Sequence, residues 1–204
     1  MESGLTVRNK SLLLIFCVII LFSVETFSTE GFEINEPLPQ LVEGLEKNYD
    51  GYYFVDFYRY DGDLGYSLTY EKQYEKRHYA HVYIWPAPKN ISQAHHELVD
   101  YANHSALNDI RQFEAEGEYE DVLELESKVY MLNQSILKIT QLSLVSEGNK
   151  LVTTLYVTEY KKYLLKVRVS MPDYIIYRGR TDNTRFALSV LDGVMKGLDA
   201  GHKF

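Results

Sequence analysis

The sequence predicts an α+β domain: one antiparallel sheet of about six to seven strands, packed by one long helix and a C-terminal helix. Three observations predict it. The segments run as three strands, a helix, four strands and a helix, so strands and helices do not alternate one by one as parallel βαβ units would. From 151 to 171, apolar and polar residues alternate with the period of half-buried strands. The last segment carries Phe186, Ala187, Val190, Leu191, Val194 and Leu198 on one stripe at helical spacing.

Residues 29–50 are read as an extended lead-in with Pro37 and Pro39, in which "QLVEGLEKNY" has the makings of a short helix. "YYFVDFYRY" (52–60) is a strand rich in aromatics, followed by an Asp61-Gly62-Asp63 turn and the strand "YSLTYE" (66–71). "YAHVYIW" (79–85) is a third strand, stopped by Pro86 and Pro88. Ser92 is placed to cap a helix running to about Gly117. In the next strand, Leu123, Leu125, Val129 and Met131 are expected on one face and Val122, Glu124, Glu126 and Lys128 on the other. Strands at 136–145 and 151–157 follow, joined by the hairpin dipeptide Gly148-Asn149.

The last two strands invite a register. A two-residue turn at Lys161-Lys162 sets Val157 beside Lys166 and mixes the faces. A three-residue loop, Tyr160–Lys162, sets Val157 beside Leu165 and Leu155 beside Val167, so the pattern favours the odd loop. The opposite face then holds Thr154, Tyr156, Lys166 and Arg168, the expected ligand-facing surface. The closing helix is expected from about Thr184 to Leu198, with Gly193 and Gly197 edging its stripe.

The first 28 residues read as a secretory signal peptide. Arg8 and Lys10 charge the start, "SLLLIFCVIILFSV" is the apolar run, and Thr26 and Ser28 are small residues at a cleavage site. An uncleaved N-terminal membrane anchor is the alternative, although Glu25 ends the run early for a span of roughly 20 residues. The one cysteine, Cys17, lies inside the run, so a cleaved chain of 29–204 needs no disulfide and has no cysteine nucleophile. The remainder, 51–204, is one domain. A net charge of -8 argues against a nucleic-acid partner and against an anionic membrane surface.

Two constellations suggest chemistry. "AHHELVDYANH" (94–104) is one residue short of a zinc-protease signature, with Asp100 where the second histidine belongs. His96, Asp100 and His104 form a row at i, i+4 and i+8 on the wet side of the helix, away from Leu98, Val99, Ala102 and Ala106. His95 points to the core side. Glu124 and Glu126 are expected on one strand face about 7 Å apart, a spacing at which paired carboxylates cleave glycosides. No nucleophile elbow, phosphate loop or dinucleotide fingerprint occurs, and no motif demands a cofactor. Asn90, Asn103 and Asn133 head glycosylation sequons.

The element order, with the ending "YLLKVRVSMP" followed by "FALSVLDGVMKGL", resembles the PsbP/DcrB-like group over Tyr52–Leu198. A second resemblance is to exported bacterial proteins in which a stretch like "DGDLGYSLTY" precedes one like "VYIWP", with a "GEYEDV"-like motif at a helix end. Both imply an envelope or scaffolding role without catalysis, and neither supplies an active-site residue. The first functional reading is therefore an exported, periplasmic or secreted, non-catalytic cell-envelope domain that binds a protein or a small ligand. The alternative is a hydrolase, metal-dependent through His96, Asp100 and His104 or carboxylate-based through Glu124 and Glu126.

Overall fold

The computed structural model describes residues 40–60, 65–73, 75–88 and 94–201, with the backbone alone for 176–181. Residues 1–28, read as a leader, Asp61-Gly62-Asp63, read as a turn, and Asn90 and Ser92 lie outside these residues. The elements are α1 (Gln40–Glu43), β1 (Asn48–Tyr49), β2 (Tyr52–Tyr60), β3 (Gly65–Lys72), β4 (Tyr79–Pro86), α2 (His95–Glu116), β5 (Glu120–Leu132), β6 (Ser135–Ser146), β7 (Asn149–Tyr160), β8 (Tyr163–Pro172) and α3 (Ile176–Asp199).

The fold is α+β, and its single antiparallel sheet has eight strands in the order β1-β2-β3-β4-β8-β7-β6-β5. The strand beyond the expected six to seven is β1, which pairs with Tyr52 and Tyr53. Two residues carry no periodicity, so no pattern announces such a strand. It lies in the segment read as an extended lead-in. There Leu41, Val42, Leu45 and Tyr49 are all buried in the domain's core.

The helices lie on opposite faces of the sheet. On one face, Phe186, Ala187, Val190, Leu191 and Val194 of α3 pack with Tyr52, Tyr70, Val82, Ile84, Leu165 and Val167. On the other, Leu98, Val99, Ala102, Ala106 and Ile110 of α2 pack with Leu142, Leu144, Leu151, Leu155, Val157 and Leu164. All residues from Leu151 to Glu159 are consequently buried. Gly193 permits a close approach of α3 to the residues after α1 and to β1: a Cβ there would stand 3.1 Å from Leu45 Cδ2 and from the Tyr49 hydroxyl.

Burial on both faces corrects the expected register. The β7–β8 turn is Lys161-Lys162, with φ of 47° and 72°, and Tyr160 pairs with Tyr163. Val157 pairs with Lys166, Leu155 with Arg168 and Tyr156 with Val167. The three-residue loop was favoured to keep Val157 away from Lys166, but the penalty it avoids does not arise. The stem of Lys166 belongs in an interior face, and its ammonium lies on aromatic rings described below. The β5–β6 and β6–β7 turns are also two-residue turns, Asn133-Gln134 (48° and 69°) and Glu147-Gly148 (49° and 71°). Two successive positive φ values give the turn whose twist matches a hairpin. The β6–β7 turn is thus one residue earlier than the dipeptide suggested.

Two further expectations are corrected. β5 is an edge strand with register shifts at 120/123 and 124/126, so Glu124 pairs with Leu142 while Glu126 pairs with Gln141. One extra residue, Leu125, turns the two carboxylates to opposite faces. The alternation of a half-buried strand fails with it: Leu123, Val129 and Met131 are 60%, 64% and 67% exposed. The last helix begins at Ile176, after a 3₁₀ turn at Asp173–Ile175, rather than near Thr184. Its first turns, "IYRGRTDN", carry no apolar stripe for periodicity to detect.

Candidate functional site

α2 packs on β5 to β8, and no described helix lies over β2 to β4 on that face. The half-buried side chains on this part of the face follow from the pleat. β4 turns Tyr79, His81, Tyr83 and Trp85 to this face, opposite Ala80, Val82 and Ile84. In the ladder, His81 pairs with Arg168 and Tyr83 with Lys166. Across β3, Thr69 pairs with His81 and Ser67 with Tyr83. The result is a half-buried cradle with two cations at its centre.

Arg168 is only 8% exposed. Its Nη2 donates to the Tyr119 hydroxyl at 3.0 Å, and its guanidinium lies 5.4 Å from the Tyr119 ring centre. Tyr119 reaches it because α2 ends at Gly117 in the left-handed conformation, with Glu118 N–H donating back to the Phe113 carbonyl at 2.9 Å. Arg168 Nε is buried and, among the described residues, has no hydrogen-bond partner. Lys166 Nζ lies 4.1 Å from the Tyr83 ring centre and 5.7 Å from that of Trp85, within cation–π range. Burial pushes the Lys166 ammonium down to about 8, with Arg168 adding to the fall and Asp109 of α2 opposing it. Burial, with Arg168 and Lys166 nearby, pushes His81 down to about 3. Its Nδ1 is 3.2 Å from Thr69 Oγ1. Burial holds the Tyr83 phenol well above its usual range.

The four residues of the expected ligand-facing surface do not share a face. Lys166 and Arg168 lie in the cradle, whereas Thr154 and Tyr156 lie on the α3 side, paired with Val169 and Val167. Both are buried, and the Tyr156 hydroxyl is 3.1 Å from Thr184 Oγ1. They line a separate cavity of about 420 Å³ beside α3, with Glu126, Lys128, Gln141 and Asn183 among its polar walls.

His96, Asp100 and His104 are exposed on α2. Asp100 Oδ1 accepts a hydrogen bond from Lys138 Nζ at 2.6 Å, which occupies the carboxylate with a protein cation. Among the described residues, no three His, Cys, Asp or Glu side chains are grouped to hold a metal ion. His95, expected on the core side, is exposed and its Nδ1 meets the Glu159 carboxylate. Asn103 of one sequon is 3% exposed and accepts a hydrogen bond from Thr140 Oγ1 at 3.0 Å, so it is not available for glycosylation in the folded helix.

A buried polar cluster on the α3 side was not anticipated. The Tyr52 hydroxyl lies 2.5 Å from both His78 Nε2 and Asn183 Oδ1, and the Glu75 carboxylate meets His78 Nδ1. Asn183 Nδ2 donates to Met171 Sδ at 3.0 Å. Tyr52 is fully buried, and the cluster ties α3 to the sheet, with Asn183 also on the wall of the cavity. The members come from β2, the β3–β4 connection and α3, and their meeting depends on the tertiary fold. The cradle's His81, Tyr83 and Tyr119 were missed for the same reason. Lys166 and Arg168 were visible as polar alternates on a strand.

Among the described residues, no helix is long and apolar enough to cross a membrane. No protein-family model and no curated protein matches the chain. Solved structures do match. Cyanobacterial PsbP (CyanoP) from Synechocystis sp. PCC 6803 aligns with TM-score 0.52 at 12% identity, over 69% of this chain and 85% of that one. Protein PA94 of Pseudomonas aeruginosa, of unknown function, aligns with TM-score 0.38 at 10% identity, over 62% of this chain and 88% of that one. The first of these likenesses shows the fold: the chain is similar to CyanoP in architecture, and the expected PsbP-like resemblance holds at that level.

Proposed function

We propose that the protein is an exported, non-catalytic cell-envelope domain, and that it binds its ligand or partner at the cradle around Lys166 and Arg168. One observation carries the reading. Two cations share a half-buried face, and among the described residues neither forms an ion pair with a carboxylate. Burying unpaired charge is costly, and ionisable groups perturbed by burial cluster at functional sites.

The chemistry of the cradle supports binding rather than catalysis. An imidazole pushed down to about 3 is too weak a base to activate water near neutral pH. Tyr83 keeps its proton and serves as a donor. What remains is a bed of aromatic faces, hydroxyls and fixed positive charge, which recognises a ligand without reacting with it. The reading of export rests on the composition of residues 1–28 and is tested by intact mass of secreted protein, expected to begin after Ser28. Retention of Met1 in a membrane fraction would instead favour the anchor.

The binding reading has a built-in reporter, because Trp85 is the single tryptophan of the chain. A panel of small solutes followed by Trp85 emission and by amide chemical shifts is expected to perturb β4 and β8. Ligands that shift only the cavity beside Thr154 and Tyr156 would transfer the function to the other face.

A further inference from the structure

We infer that the cradle takes an oxyanion, a carboxylate or a phosphate, carried on an apolar body that lies against Tyr83 and Trp85. This rests on the reading of the cradle as the binding site and adds the chemical class of what it binds.

The first ground is charge. Lys166 and Arg168 are two residues apart on β8, hence about 7 Å apart along one face. The groups around them from the packed elements are Tyr79, His81 and Tyr83 on β4, Thr69 on β3, Glu159 on β7, Asp109 on α2 and Tyr119 beyond it. Of these Glu159 and Asp109 are acidic. The buried Glu159 carboxylate is taken by His95 Nδ1 and the Lys162 N–H. Asp109 is exposed on α2, and neither cation has it as an ion-pair partner. Aromatic faces offset part of the cost of holding two cations here, but a ring face supplies no lone pair.

The second ground is hydrogen bonding. Buried guanidinium N–H groups normally find acceptors, and Arg168 Nε has none. The Nε–H is one arm of the fork by which a guanidinium grips two oxygens of one group. The neighbouring side chains offer mainly donors. Lys166 carries three N–H bonds, the Tyr83 phenol stays protonated, and a neutral His81 carries one ring N–H, with its Nδ1 3.2 Å from Thr69 Oγ1. A site rich in donors and poor in acceptors is complementary to an anion and mismatched to a cation or a sugar. The third ground is the wall. The ring of Trp85 and that of Tyr83 flank Lys166 Nζ, so a group held at the ammonium has its remainder against aromatic surface.

The test is a matched series titrated into the protein and followed by Trp85 emission: cyclohexanecarboxylate, the neutral cyclohexylmethanol, and inorganic phosphate as competitor. Cyclohexanecarboxylate is expected to saturate, and the alcohol to bind at least about tenfold more weakly. Displacement by inorganic phosphate points to phosphate as the natural group, and persistence of the carboxylate points to a carboxylate. Lys166→Met and Arg168→Met are each expected to weaken carboxylate binding by about tenfold. If Arg168→Met does not fold, Arg168→Lys keeps the charge, removes the fork and is expected to weaken binding too. Iodide is also expected to quench wild-type Trp85 more strongly than caesium does. Equal binding of the alcohol and the carboxylate would overturn the oxyanion and leave the cradle as a binding site. No response of Trp85 to any member would overturn both.

Discussion

Tyr83 and Lys166 are direct cross-strand partners, and the Lys166 ammonium sits 4.1 Å from the centre of the Tyr83 ring. This pair explains how a lysine shares a sheet face with Val157, Leu155 and Leu164. The ammonium is held by the rings of Tyr83 and Trp85.

Lys166→Met should therefore leave folding stability at or above the wild-type value in denaturant melts. It removes a half-buried charge with no carboxylate partner and retains the packing of its stem. A loss of more than about 1 kcal/mol would mean that the cation–π contacts with Tyr83 and Trp85 outweigh the cost of burying the charge.

Leu155→Ala should cost roughly 2–5 kcal/mol, because Leu155 is fully buried between β7 and α2. The same denaturant melts measure it. A cost below about 1 kcal/mol would contradict the packing of α2 over β7.

How much of this was legible in the sequence depends on whether one face or two is buried. The α3 stripe was readable because Phe186, Val190, Leu191 and Val194 face a core while their neighbours face outward. In β7 the same reasoning failed. Thr154, Tyr156 and Thr158 are as buried as Leu155 and Val157, so polarity there does not report exposure and cannot set the register. The decisive information was the turn, where Lys161 and Lys162 both take positive φ without the glycine or asparagine that announces it. At the site, alternation placed Lys166 and Arg168 together. It had no access to Tyr119, which arrives through the Gly117 cap from another element.

The turn gives a direct prediction. Lys162→Gly should stabilise the protein by a few tenths to about 1 kcal/mol in thermal melts, because a φ of 72° costs a side chain that glycine lacks. Destabilisation would argue for the three-residue loop and the register that goes with it.

Tyr52→Phe should cost about 1–3 kcal/mol, since it strips the shared partner from His78 Nε2 and Asn183. Hydrogen exchange should show faster opening of α3 in the variant than of α2. Equal acceleration in both helices would show that the cluster does not tether α3 in particular.

Anion affinity should depend on pH with a definite sign. The free Lys166 loses its proton as pH rises through about 8, and the bound anion favours the ammonium form. Affinity for cyclohexanecarboxylate should therefore be level between about pH 6 and 7 and fall above about 8, with proton uptake on binding in that upper range. The fall should vanish in Lys166→Met. A fall that persists in the variant would assign it to another group.

The most direct test of the binding cradle is a crystal structure grown with cyclohexanecarboxylate. The account predicts its carboxylate about 3 Å from Arg168 Nε and Lys166 Nζ, with the ring against Tyr83 and Trp85. A ligand seated instead in the cavity lined by Thr154 and Tyr156, with Arg168 Nε still lacking an acceptor, would contradict it.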